Sequence, residues 1–146
     1  MKKILTSAVA VLALTTMTNN TNAASGNATV TIIAPIVLTA VNDLEFGEVE
    51  QGASATTVNV GDAGDGNWTI QGEGSKTVNL TLGATTATLT GPGADIGVTG
   101  INLSSSSVVL SGGAGTFNVG GVLDAIPGAQ TAGAYTGTYT VTGSYQ

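Results

Sequence analysis

The chain has 146 residues, of which 8% are charged, and it contains neither histidine nor cysteine. Nine carboxylates against three basic side chains give a formal net charge of −6. The absence of histidine and cysteine excludes Ser–His, Cys–His and His–metal centres. The negative charge disfavours nucleic acid and anionic membranes as partners, because both need basic patches. We therefore expect no enzymatic activity and no cofactor.

The first residues have the pattern of a secretory signal peptide. Lys2 and Lys3 precede an apolar run over residues 4–14, which is too short to span a bilayer. Small residues follow, and we predict cleavage after Ala23, with Ala24 as the second choice. Residues 1–23 would then direct export, and the mature chain would have no membrane span.

The mature chain, residues 24–146, has the length of one domain. It would keep Lys76 against nine carboxylates, a formal charge of −8 (1 − 9), which favours solubility. Without cysteine no disulfide can brace the fold. The core and the backbone hydrogen bonds must hold it together.

Residues 24–35 contain the first strand-like alternation. Ala28, Val30, Ile32 and Ala34 share one face of an extended segment, and Pro35 interrupts it because proline donates no backbone hydrogen bond. One interpretation is a strand that pairs within its own sandwich and stops at Pro35. Pairing with the edge of another molecule uses the same chemistry, so the residues leave both open.

Short strand-like runs punctuated by glycine then continue to the end of the chain, with no helix signal between them. Many short strands separated by glycine-rich turns predict an all-β, immunoglobulin-like antiparallel sandwich. The runs cover residues 28–33, 36–41, 44–49, 56–60, 68–71, 77–82, 85–90, 97–103, 108–110, 116–123 and 134–145.

Two internal features allow a ligand interpretation beside a structural one. Asp62 and Asp65 lie in a glycine-rich loop and offer oxygen ligands for calcium, but the EF-hand spacing is missing and both are ordinary turn residues. We expect a structural turn, with a metal site as the weaker alternative. Trp68 is expected to be a core or rim aromatic, with sugar stacking as the alternative.

The last stretch gives the clearest strand pattern. Tyr135, Tyr139, Val141 and Tyr145 occupy odd positions, and threonine or serine occupies most even ones. A period of two places the apolar side chains on one face. We expect Tyr139, Val141 and Tyr145 to face the core, on a strand that pairs at the edge of a sheet.

The two ends of the mature chain resemble fimbrial subunits of the chaperone–usher type. These subunits end in an alternating strand with a penultimate Tyr, here Tyr145, and carry a Gly about a dozen residues upstream, here Gly133. Their N-terminal segment leaves its own subunit and completes the next one. The resemblance implies that residues 28–34, with Ala28, Val30, Ile32 and Ala34 on the assembly face, complete a neighbour at the cell surface after transit through the periplasm. Val30 and Ile32 are the side chains expected to enter the neighbour's groove. It also implies a periplasmic chaperone and an outer-membrane usher as partners.

Two further motifs extend the resemblance. Residues 44–47, Leu-Glu-Phe-Gly, are similar to an element of spore-coat-U-like and archaic fimbrial proteins. Residues 117–123 and 132–137 resemble a family of small secreted bacterial proteins catalogued as a domain of unknown function, thought to share the adhesin-like sandwich. Two functions follow as hypotheses. One is a self-associating fibre subunit completed by strand addition, with adhesion as an additional role. The other is a self-contained sandwich that binds a surface ligand or glycan as a monomer.

Overall fold

A computed structural model describes residues 22–146, and the predicted signal sequence up to residue 21 lies outside the described residues. The chain divides into two compact units, the first ending at Thr31 and the second running from Ile32 to Gln146. The described residues of the first unit, 22–31, carry no strand and are exposed. All strands belong to the second unit.

The described part of the chain contains nine antiparallel strands and no helix, so the predicted all-β sandwich is confirmed. The strands form a sheet of six and a sheet of three. They are β1 (Val37–Asn42), β2 (Thr56–Val58), β3 (Gly66–Gln71), β4 (Thr77–Leu82), β5 (Ala87–Leu89), β6 (Ile96–Leu103), β7 (Ser107–Val109), β8 (Ala114–Leu123) and β9 (Val141–Tyr145).

The larger sheet is built around β8, the longest strand. One edge of β8 pairs with β3 along residues 114–119 and with β2 along residues 121–123, so β2 and β3 share that edge end to end. The other edge pairs with β6, and the order across the sheet is β1-β3-β8-β6-β5. The smaller sheet has the order β7-β4-β9, with β4 at its centre.

The core forms where the apolar positions of the alternating strands meet. Phe117 and Val119 on β8, Ile70 on β3 and Val78 on β4 are at most 1% exposed. The intervening residues of β4 and β9 are exposed, as a period of two requires. The remaining buried members of the core are Leu80, Ile96, Val98, Ile101, Leu110, Leu123 and Ile126.

Three strand predictions are wrong in whole or in part. Residues 28–33 and 44–49 have strand-like sequences, yet neither forms a strand here. The predicted strand over 134–145 is a strand only from Val141, apart from one isolated bridge between Thr90 and Thr136. Alternation prepares a backbone for pairing, but a strand exists only where a neighbouring backbone supplies the hydrogen bonds.

Candidate functional site

An apolar groove of about 1290 Å³ lies within the second unit. Its floor is formed by β5, β6 and the end of β8. A sheet of three strands cannot cover the whole inner face of a sheet of six, and the groove lies against strands of the larger sheet. The floor side chains are Ala87, Leu89, Ile96, Val98, Ile101 and Leu123.

The walls of the groove are two of the segments that were predicted as strands. Residues 43–47 and 49–51 line it, as do residues 130–139. Within the described chain, residues 44–49 make one backbone–backbone hydrogen bond, from Glu45 N to Gly64 O. Residues 134–139 make only the Thr90–Thr136 pair. Both walls therefore offer backbone groups that a further strand could use.

An aromatic cluster contributes Trp68 and Tyr139 to the lining of the groove. Trp68 stacks on Phe117 at 5.8 Å between ring centroids and tilts against Tyr139 at 6.2 Å. Its indole Nε1 donates a 3.1 Å hydrogen bond to the Tyr139 hydroxyl. Burial raises the pKa of Tyr139, and the charges of Asp43 and Asp65 raise it further, whereas the bond from Trp68 opposes them.

Gln130 holds one wall of the groove in place, and no sequence pattern predicted this role. Its side chain is 5% exposed, and Nε2 donates to Ala94 O and to the Tyr135 hydroxyl. Tyr135 in turn donates to Thr131 O at 2.8 Å. The backbone oxygen of Gln130 accepts from Gln51 Nε2, which links the two walls. These bonds satisfy a buried amide and hold the wall in place.

Gly133 has a conformational reason to be glycine. Its φ is +150°, and a Cβ there would lie 2.7 Å from Pro92 Cγ. A side chain would meet both the backbone penalty and the proline ring. The chain therefore uses Gly133 to pass close to Pro92 while it lines the groove.

The N-terminal residues predicted for strand exchange are exposed and lack strand pairing. Val30 is 84% exposed and Ile32 is 89% exposed, and Ala28 is also exposed. Ala34 is different, because it is hydrogen-bonded to other residues of the second unit. Its N–H donates to Glu73 Oε2 at 3.0 Å, and its carbonyl accepts from the Tyr145 hydroxyl at 2.8 Å.

The C-terminal strand lies at a sheet edge, and its apolar face points inward. Val141 and Tyr145 are half-buried against the core, as is Tyr139 before the strand. Gly83 N donates to Thr140 O, and Gln146 N donates to Thr77 O, so the even-numbered residues bond to β4. The backbone groups of the odd-numbered residues therefore point away from β4. Among the described strands, β9 pairs with β4 alone.

The Asp62–Asp65 loop is organised by its own hydrogen bonds. Asp62 Oδ2 accepts from the backbone N and the side-chain Nδ2 of Asn59, both at 2.9 Å, and these bonds lower the pKa of Asp62. Asp65 Oδ2 accepts from Gly61 N and from Asn118 Nδ2, both at 2.6 Å. Across residues 22–146, no group of three acidic side chains is arranged to hold a metal ion. The contacts are those of a structural turn.

The charged side chains that line the groove are all acidic: Asp43, Glu45 and Glu50. These charges favour an uncharged or cationic occupant over an anionic one. Among the residues that the structure describes, no helix is long and apolar enough to cross a bilayer.

Residues 61–145 match the model of a domain of unknown function, DUF4402. The chain belongs to this family. The DUF4402 match covers β3 to β9 and the groove wall at 130–139, and it supports the resemblance of residues 117–123 and 132–137 to a family of unknown function. The Leu44–Gly47 motif and the N-terminal segment lie before it. No curated protein matches the chain.

Proposed function

We propose that this protein is an exported fibre subunit, in which residues 28–34 of one copy complete the sandwich of the next by strand addition. The observation that carries the proposal is the pair of groove walls, 44–49 and 134–139, which make few backbone hydrogen bonds: one from Glu45 N to Gly64 O, and the pair between Thr90 and Thr136. A strand inserted between the walls would supply hydrogen bonds to the remaining backbone groups of both.

The N-terminal segment of a second copy has the chemistry of that occupant. Val30 and Ile32 alternate on one face and are almost fully exposed in the single chain. Residues 24–35 carry no charged side chain, so they suit a groove whose lining charges are acidic. Residues 28–34 span roughly 23 Å when fully extended. The segment 134–140 of the wall has the same number of residues, seven.

The free energy gained by burying Val30 and Ile32 is large enough to control assembly. Burying Val30 and Ile32 is worth about 1.5–3 kcal/mol each, or about 3–6 kcal/mol together. Since about 1.4 kcal/mol changes an equilibrium constant tenfold, their loss should weaken assembly by about 10²- to 10⁴-fold. The folded monomer should lose little, because substitutions at exposed positions change stability by about 0.5 kcal/mol or less.

The test compares two double variants of the mature chain by size-exclusion chromatography with light scattering. Val30→Asp with Ile32→Asp should abolish assembly, whereas Thr29→Asp with Thr31→Asp adds the same charge to the opposite face and should still assemble. Both variants should keep the wild-type circular dichroism. Trp68 is the single tryptophan and lines the groove, so its fluorescence should report binding of a peptide of residues 27–34 to the first variant.

The same groove supports a second candidate function, a monomeric sandwich that binds a small ligand. An apolar cavity with a few polar groups, here Gln130 and Tyr135, is typical of ligand sites. A wild-type protein that stays monomeric, and whose Trp68 fluorescence ignores the peptide, would refute strand addition and favour this alternative.

A further inference from the structure

Three residues far apart in sequence form a closed ring of hydrogen bonds at the base of the N-terminal segment. Ala34 N donates to Glu73 Oε2 at 3.0 Å, and Glu73 N donates to the Tyr145 hydroxyl at 2.6 Å. The hydroxyl then donates to Ala34 O at 2.8 Å. Both backbone groups of Ala34 are thereby occupied by its own domain.

The surrounding sequence makes room for this ring. A Cβ at Gly72 would collide with the Tyr145 hydroxyl, so glycine at that position lets the phenol reach Glu73 and Ala34. Tyr145 is itself placed by β9, where it lies opposite Val78 of β4. The ring thus joins the last strand of the fold to the residue just before Pro35.

We propose that Glu73 and Tyr145 are positioning residues that clasp Ala34, so that the exchangeable N-terminal segment ends at Ile33. The clasp changes the expectation for Ala34, because a residue held at both backbone groups by its own domain is not free to enter a neighbour. Val30 is 84% exposed and Ile32 is 89% exposed, so the segment before the clasp is free of its own domain on that face. The assignment of the exchanged segment rests on the proposed function, whereas the clasp itself does not.

Amide hydrogen exchange, measured by NMR, tests the clasp in the Val30→Asp, Ile32→Asp background, which should be monomeric. Ala34 should exchange more slowly than Thr29. Tyr145→Phe removes two bonds of the ring and should speed exchange at Ala34 about two- to tenfold, the equilibrium change expected for one hydrogen bond. Tyr135→Phe, which loses hydroxyl bonds elsewhere on the same terminal segment, should leave Ala34 unchanged.

Substitutions of Glu73 provide a second test of the clasp, with a conservative substitution as the control. Glu73→Ala removes the acceptor and should speed exchange at Ala34, whereas Glu73→Gln keeps an amide oxygen and should preserve most of the protection. Gly72→Ala should act like Tyr145→Phe. The amide of Leu80 in the core strand β4 serves as a measure of global opening, and the effects at Ala34 should exceed any change at Leu80.

The clasp would be overturned if Ala34 and Thr29 exchanged equally fast in the protein whose ring residues are unchanged. It would also be overturned if Tyr145→Phe and Tyr135→Phe had equal effects on exchange at Ala34. Its consequence for assembly is tested with a shortened peptide. A peptide of residues 27–33 should bind the groove as well as one of residues 27–34, and a requirement for Ala34 would refute this boundary. If neither peptide binds, the proposed function fails while the exchange results still decide the clasp.

Discussion

Two adjacent glycines of β8 allow a sharp test of the packing beside the groove. Gly120 and Gly121 are both buried, and both have ordinary φ values. A Cβ at Gly120 would lie 2.7 Å from the backbone oxygen of Val58 and 2.9 Å from the backbone N of Val60. A Cβ at Gly121 would instead meet only side-chain atoms, the nearest being Leu44 Cδ2 at 3.3 Å.

The two substitutions should therefore differ in cost. In Gly120→Ala the backbone oxygen of Val58 would have to move by about 0.7 Å to reach ordinary contact, and overpacking of this kind costs about 1–3 kcal/mol. In Gly121→Ala the flexible end of Leu44 can turn aside. The lower entropy of the unfolded chain then contributes about 0.4–1 kcal/mol in favour of folding. We expect Gly121→Ala to match the wild type within about 1 kcal/mol.

Urea unfolding followed by Trp68 fluorescence would measure both free energies of unfolding by linear extrapolation. The urea dependence should be the same in the wild type and both variants, so that the midpoints alone report stability. Equal destabilisation by the two alanines would refute the argument that the backbone near Val58, rather than burial alone, requires glycine at position 120. So would a Gly120→Ala variant as stable as the wild type.

Three other predictions concern pH, the core and export. The raised pKa of Tyr139 means that the folded state holds this proton more tightly than the unfolded state, so its contribution to stability is complete below about pH 10 and is lost as the pH rises through the folded pKa. Tyr139→Phe should flatten the alkaline fall in urea midpoint, and an unchanged slope would contradict the assignment. Phe117→Ala should cost about 3–5 kcal/mol by the same assay because the ring is 1% exposed; a loss below about 1 kcal/mol would count against this core. Mass spectrometry of the secreted protein should find Ala24 or Ser25 at its start, and intact Met1 on exported material would disprove cleavage.

Sequence alone was sufficient where the pattern is local. The alternation of residues 134–145 predicted that Tyr139, Val141 and Tyr145 turn inward, and all three pack against the core. The absence of helix signals likewise predicted the all-β class, because a period of two and frequent glycine turns are properties of a single stretch of chain.

Pairing was decided only by the tertiary structure. Residues 44–49 lie beside Gly64 and make one backbone hydrogen bond, from Glu45 N to Gly64 O, yet they form no strand because a single bond is not a ladder. Residues 134–140 likewise make only the bridge between Thr90 and Thr136 and the bond from Gly83 N to Thr140 O. Whether a strand-like segment becomes a strand depends on a partner that its own sequence does not contain.

Local sequence patterns also did not predict the polar contacts of Glu73 and Gln130. Glu73 and Gln130 stand in unremarkable sequence, and each acquires its role from residues distant along the chain, Ala34 and Tyr145 in one case and Gln51 and Ala94 in the other. Local alternation fixes the face on which a side chain lies. Which distant group it meets depends on how the strands cross and on where the chain turns back, and these are set by the packing of the two sheets.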